Sequence, residues 1–144
     1  MTEKGTDRLS IRACRLEDIG VVLELWRQAD ATPGVTDTAD DLGRAITESP
    51  AHVLVAEVGR RLVGSIIGAF DGWRGNIYRL AVHPDHRRQG VARALVGEVE
   101  KRLARQGARR ITALVEKDHP WAMSFWEAVG YRVDERIVRR VRNL

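Results

Sequence analysis

The sequence predicts an α/β domain built around a mixed sheet, and three observations carry that expectation. Strand-like and helix-like apolar patterns alternate along 144 residues in the order β-α-α-β-β-β-α-β-α-β-β. No internal repeat, low-complexity run or Pro/Gly/Ser-rich linker interrupts the chain. An apolar fraction of 44% beside a charged fraction of 31% suits a chain that buries one core.

The elements follow in order. Residues 1–8 read as a short N-terminal extension, and 9–144 as the domain. LSIRA is a short strand, and Leu16 to Gln28 places Ile19, Val22, Leu23 and Trp26 at helical spacing. The polar loop DATPGVTDTADD contains the breakers Pro33 and Gly34. Thr38 followed by Asp41 resembles a capping box and opens a second helix carrying Leu42, Ala45 and Ile46. HVLVAEV, LVGSIIGAF and NIYRLAVH are strands joined by the turns GRR and DGWRG. A third helix runs from about Gly90 to Gln106, with Val91, Leu95, Val99 and Leu103 on one stripe. ITALVE is a buried strand, HPWAMSFWEAVG a helix ended by Gly130, and YRV and RIVRRV two closing strands.

Composition narrows the function classes. The net charge is +4, from 24 Lys and Arg against 20 acids, which permits an anionic partner without demanding one. The basic residues gather around Arg87 and Arg88 and along the tail RIVRRVRNL, without interleaved aromatics, so nucleic acid is not expected as a partner. The tail's arginines instead read as the charged side of an edge strand. No apolar run approaches the roughly 18 to 20 residues of a membrane span, and MTEKGTDRLS has no apolar signal core. One cysteine, Cys14, suits a cytoplasmic protein and is expected to pack as a small apolar residue beside the first strand.

The stretch HPDHRRQGVARALV, from His83 to Val96, joins a strand to a helix N-terminus. The first turn of a helix has N–H groups without partners and a positive dipole end, so an anion is stabilised there. Gly90 lets a ligand approach the backbone, Ala92 keeps the entrance open, and Arg87, Arg88 and Arg93 add charge on the rim. A diphosphate fits this chemistry; the alternative is a solvated, charged turn. No G-x-x-x-x-G-K-[ST] and no G-x-G-x-x-G is present, which excludes the usual nucleotide loops. His83 and His86 are separated by Pro84 and joined by no cysteine, so they read as turn residues and no metal site is expected.

LAVHPDHRRQGVARAL resembles the acetyl-CoA-binding motif of the GCN5-related N-acetyltransferases (GNAT), Q/R-x-x-G-x-G/A, through Arg87, Gly90 and Ala92. A later A-x-x-F-x-E-x-x-G-[FY] segment stands in family order, and the resemblance extends from Ile11 to Val133. It implies a GNAT-like fold with about four helices and a V-shaped split between the fourth and fifth strands. In such a fold the pantetheine arm pairs with backbone groups of Leu80, Ala81 and Val82. The pyrophosphate sits on N–H groups of the run Arg87, Arg88, Gln89, Gly90, Val91, Ala92 and Arg93. The implied activity is acetyl transfer from acetyl-CoA to a primary amine of a small molecule or peptide, by direct attack in a ternary complex. An N–H of the fourth strand would polarise the thioester carbonyl. The resemblance also implies a homodimer, for which the final strands offer an edge.

The proton chemistry departs from the family pattern. Asn76 and Leu114 stand where relatives carry a glutamate, and neither accepts a proton. Glu116, two residues past Leu114 and hence on the same strand face, is the candidate base, or else an exposed strand-end charge. Tyr78 is the second catalytic candidate, with Asp71 and the backbone as further ones. Trp126, which the resemblance implies lies at the coenzyme site, replaces the tyrosine that protonates the coenzyme sulfur, and indole donates a hydrogen bond but not a proton. Losing a general acid costs roughly a hundredfold. His119 replaces an asparagine that touches the pantetheine arm, and Tyr131 matches a core aromatic. On the acceptor side, Asp30, Asp37, Asp40 and Asp41 could attract a cationic amine and Trp73 or Trp121 could pack on its body. These departures keep a second class open: a non-catalytic acyl-CoA-binding or regulatory module of the same fold.

Overall fold

The computed structural model describes residues 8–48 and 51–144, so the first seven residues of the expected extension lie outside the described residues. The chain forms two compact units, one ending at Leu114 and one from Val115 to Leu144.

The first unit holds β1 (Leu9–Ala13), a 3-10 turn (Leu16–Asp18), α1 (Ile19–Gln28) and α2 (Ala39–Thr47). It continues with β2 (Ala51–Val58), β3 (Arg61–Phe70), β4 (Gly75–Val82), α3 (Val91–Gln106) and β5 (Ile111–Ala113). The sheet runs in chain order, antiparallel from β1 to β4 and parallel between β4 and β5, the mixed sheet expected. Near-continuous apolar runs put β2 and β3 at its centre, where residues of both faces are buried.

Alternation along β3 divides the two faces. Ser65 points to α1 and accepts a hydrogen bond from the buried Trp26 indole at 2.9 Å. Around it Cys14, Val22, Leu25, Ala29, Leu42, Val53, Val55 and Ala81 form one core, with Cys14 packed as expected. Gly64 and Gly68 point to α3. A Cβ on Gly68 would stand 2.7 Å from a Val99 methyl, one on Gly64 2.9 Å from Val91, and one on Gly75 of β4 2.9 Å from Leu103. These glycines let the buried stripe Val91, Leu95, Val99 and Leu103 press directly on the sheet backbone.

The second unit contains α4 (Pro120–Ala128). Gly130, at φ +96°, closes it as expected: Tyr131 N–H reaches back to the Trp126 carbonyl at 2.9 Å. Residues 131–144 do not form the two closing strands expected of YRV and RIVRRV. Val133, Ile137, Val138 and Val141 are all more than 60% exposed. Alternation alone makes no strand; the backbone needs a ladder partner, and the sheet ends at β5 without one for this arginine-rich segment.

Candidate active site

Three local features build the candidate site. First, β4 ends at Val82, and a 3-10 turn (Pro84–His86) leads to α3. The His83 imidazole accepts from Asp85 N–H at 3.1 Å, so this histidine serves the turn. Gly90 caps α3 at φ +85°, ψ 3°, and Ala94 N–H makes the first helical bond, to the Gly90 carbonyl at 3.0 Å. The N–H groups of Val91, Ala92 and Arg93 therefore lie in the first turn without an intrahelical acceptor. Nothing stands within 4 Å of a Cβ built on Gly90, so the helix entrance is open.

Second, the arginines divide. Arg88 and Arg93 are exposed beside the entrance, as is Gln89. Arg87 is half-buried and turns inward, its guanidinium donating to the Ala29 carbonyl at the C-terminus of α1 (3.4 Å). Its charge meets the negative end of that helix rather than the rim.

Third, β4 outruns its parallel neighbour. Pairing covers only Gly75, Asn76 and Ile77 against Ile111, Thr112 and Ala113; Leu114 N–H then bonds the Ile77 carbonyl at 3.2 Å. From Tyr78 to Val82 the strand continues without β5, which is the V-shaped split. His83 N–H bonds the Val63 carbonyl of β3, so alternation turns the polar backbone of Val82 away from β3, to the side β5 leaves. Ala81 and Val82 are almost fully buried and Leu80 half-buried, while Tyr78 is 37% exposed just past the last paired residue.

A bulge lies within this stretch. The register passes from Ser65 opposite Ala81 to Ile67 opposite Tyr78, giving β4 one extra residue. Arg79 takes up the distortion at φ +54°. Its guanidinium donates to the Thr32 carbonyl at 2.8 Å and to Asp37 at 2.5 Å, and stands 5.3 Å from the Trp26 ring centroid. Asp37 also accepts from Gly34 N–H, and Asp41 pairs with Arg44 within α2, whose Thr38 cap forms as expected. Asp37 and Asp41 thus have structural partners, while Asp30 and Asp40 are exposed. Asp71 accepts from the N–H groups of Arg74 and Trp73, both at 2.8 Å. Those bonds, Arg74 first, together with one from the Asn76 side chain, hold its carboxyl below the usual range, which makes it a poor base. Trp73 is exposed under the Arg74 guanidinium, 4.2 Å away.

In the second unit, Glu116 and His119 form a pair with Oε2 and Nε2 2.7 Å apart. Because β5 ends at Ala113, Glu116 lies beyond the strand and the expected same-face relation to Leu114 does not hold. The strand is short because β4 pairs with it over only three residues. His119 caps α4, and Trp121 is half-buried in its first turn. Trp126 is buried edge-to-face between Phe125 and Tyr131, with ring centroids at 5.4 Å and 4.8 Å. Tyr131 is an aromatic packing partner, as expected.

Sequence reasoning missed Arg79, Ser65 and the glycine row. Gly64 and Gly68, four apart in an apolar strand, were the available signal for a close helix; Arg79 had none, since a bulge is set by pairing.

The sequence pattern described as the acetyltransferase (GNAT) family matches residues 21–131. A Sodalis glossinidius protein named an acetyltransferase is 36% identical over 130 residues, covering 90% of this chain and 92% of that one. Another from Pectobacterium atrosepticum is 37% identical over 123 residues, covering 85% and 87%. The fold also resembles the crystal structure of the PaiA N-acetyltransferase from Thermoplasma acidophilum in complex with coenzyme A. That likeness has a TM-score of 0.78 at 18% identity and covers 89% of this chain and 92% of that one. Among the described residues no helix is long and apolar enough to cross a membrane. The open helix entrance, the splayed β4 and the match over residues 21–131 converge: the chain belongs to the acetyltransferase (GNAT) family and is an acetyltransferase with acetyl-CoA as co-substrate.

Proposed function

We propose that the chain transfers the acetyl group of acetyl-CoA to a primary amine of a small molecule or peptide by direct attack in a ternary complex, with residues 9–144 as the transferase domain. The observation that carries this reading is the α3 entrance, where Gly90 and three unbonded first-turn N–H groups suit a diphosphate. Arg88 and Arg93, exposed beside it, add charge, and Arg87 anchors the loop through Ala29. Backbone groups of Leu80 to Val82 take the pantetheine amides. The amine nitrogen, in its neutral form, bonds to the acetyl carbon as the carbon–sulfur bond breaks. The nitrogen gives up one proton, and the thiolate, with an ordinary thiol pKa of about 8.5, is a fair leaving group without a strong acid. Glu116, with His119 as its hydrogen-bonded partner, and Tyr78 are the residues we assign to proton transfer. Trp126 keeps a packing role and His119 is the substitute for the family asparagine. A lone buried Cys14 fits a reducing cytoplasm, and a homodimer is the proposed assembly.

One observation favours a second reading, a non-catalytic acyl-CoA-binding module: Asn76 and Leu114 stand at family glutamate positions, so no base stands at either. Thiol release from acetyl-CoA across polyamines, aminoglycosides, amino acids and peptides separates the two. We expect turnover with at least one amine, reduced at least tenfold in kcat by E116Q or Y78F with coenzyme A affinity unchanged. Tight coenzyme binding without thiol release from any amine identifies the module. A melting temperature unmoved by saturating acetyl-CoA removes both readings.

A further inference from the structure

Backbone strain in β4 is concentrated at one residue. Among the described residues three non-glycines have positive φ: Asp30 and Arg88 lie in turns, and Arg79, at +54°, lies within a strand. A long side chain in that region is strained, and the conformation persists only where surrounding contacts over-determine it. The Arg79 guanidinium supplies such contacts. It bonds the Asp37 carboxylate at 2.5 Å and the Thr32 carbonyl at 2.8 Å, and both members of the ion pair are about four-fifths buried. It also stands 5.3 Å from the centroid of the Trp26 ring, which is itself fixed by its indole N–H to Ser65, the residue opposite Ala81. A Cβ on Gly34 would stand only 3.3 Å from the guanidinium, so the loop packs directly on the charge.

The strained residue lies where its conformation has most effect. Pairing with β5 ends at Ile77, and between the pairs Ile67–Tyr78 and Ser65–Ala81 two residues, Arg79 and Leu80, share the single Ile66 of β3. Closing this bulge by one residue would carry Leu80 into the place of Ala81, which is buried in the core beneath α1, and turn each following residue to the opposite face. We infer that Arg79 is a positioning residue for the co-substrate: its guanidinium, held by Asp37 and Thr32, locks the β4 bulge so that residues 80–82 present their backbone on the side β5 leaves. This rests on the proposed placement of the pantetheine amides along those residues. Asp37, in the loop between α1 and α2, then serves coenzyme binding through Arg79.

R79G and R79M separate strain from anchoring, because both lose the guanidinium and only methionine opposes a positive φ. In titration calorimetry with coenzyme A, R79M should bind at least tenfold more weakly than wild type, the result of a competent backbone populated about a tenth of the time, and R79G should stay within about threefold of wild type. Equal coenzyme A affinity in folded R79M and R79G, whether unchanged or reduced in both, overturns the inference, since a guanidinium that served only the loop or overall stability is lost alike in the two. If R79M does not fold, D37N decides: it should weaken coenzyme A binding about threefold beside Arg79 and change nothing in the R79G background. An equal effect of D37N in the two backgrounds, or none in either, overturns the inference. Failure of the underlying placement is distinguishable in the wild type, where saturating coenzyme A would then leave amide hydrogen exchange along residues 80–82 unslowed.

Discussion

The two sides of β4 are built from different materials. On one, where we propose the coenzyme binds, the groups are backbone N–H groups at the start of α3, aimed by Gly90 and left open. On the other, toward the loop between α1 and α2, the groups are side chains, and Arg79, Asp37 and Trp26 are bound to one another. A backbone site needs only a strand, a turn and a helix in the right order, so it is insensitive to protonation and tolerant of neighbouring substitutions. A side-chain site is set by long-range pairing, here 42 residues between Arg79 and Asp37, and responds to charge.

The largest expected effect breaks the donor side from below. In Gly68→Val the new Cβ would stand 2.7 Å from Val99, forcing α3 off the sheet. Overpacking of this kind should cost about 3 kcal/mol in denaturant unfolding, and coenzyme A affinity should fall with it. Unchanged stability would mean that α3 is not seated by the glycine row.

A smaller effect is expected at the entrance. Gly90→Ala meets no neighbouring atom, so only the left-handed backbone at φ +85° opposes it. We expect about 1 kcal/mol lost in stability and coenzyme A affinity weakened about tenfold. Coenzyme A affinity equal to wild type in calorimetric titration would contradict a role for the Gly90 entrance in binding it.

The smallest effect sharpens the contrast in charge. Where β1 hands over to α1, Arg12 bonds Asp18 at 2.7 Å and Glu57 at 3.1 Å, and Asp18 also accepts from Arg15 N–H. The Arg12 guanidinium, above all, holds the Asp18 carboxyl below its usual range. A depressed carboxyl contributes stability that is complete above the unfolded pKa of about 4 and is lost as pH falls through the folded value. D18N should therefore cost about 1 kcal/mol at neutral pH and flatten the loss of stability below about pH 4, measured by denaturant unfolding across pH. Coenzyme affinity, which we propose is carried by backbone groups, should be the same in D18N and wild type at neutral pH.

Legibility followed the same division. The α3 stripe, the Gly90 entrance, the Thr38 cap and the Gly130 stop are local: a few neighbouring residues suffice to specify each, and each stands where its pattern placed it. ITALVE, a strand only as far as Ala113, and the tail, which forms none, fell short for the opposite reason. Both read as strands by apolar content, yet a strand exists only as far as its partner does, and β4 supplies three paired residues to β5. Glu116 was placed by that strand and moved with its loss; Arg87 was assigned to the rim by its position in the motif, but its reach to Ala29 depends on where α1 ends.

What the sequence by itself determined is the α/β order and the open start of α3 at Gly90, because helix periodicity, caps and a positive-φ glycine are properties of short segments. The tertiary structure alone decided that β4 carries a bulge at Arg79, that its guanidinium crosses to Asp37 and Trp26, and that glycines on β3 admit α3. Each of these depends on strand register and on layers brought together by burial, which distant parts of the chain settle jointly.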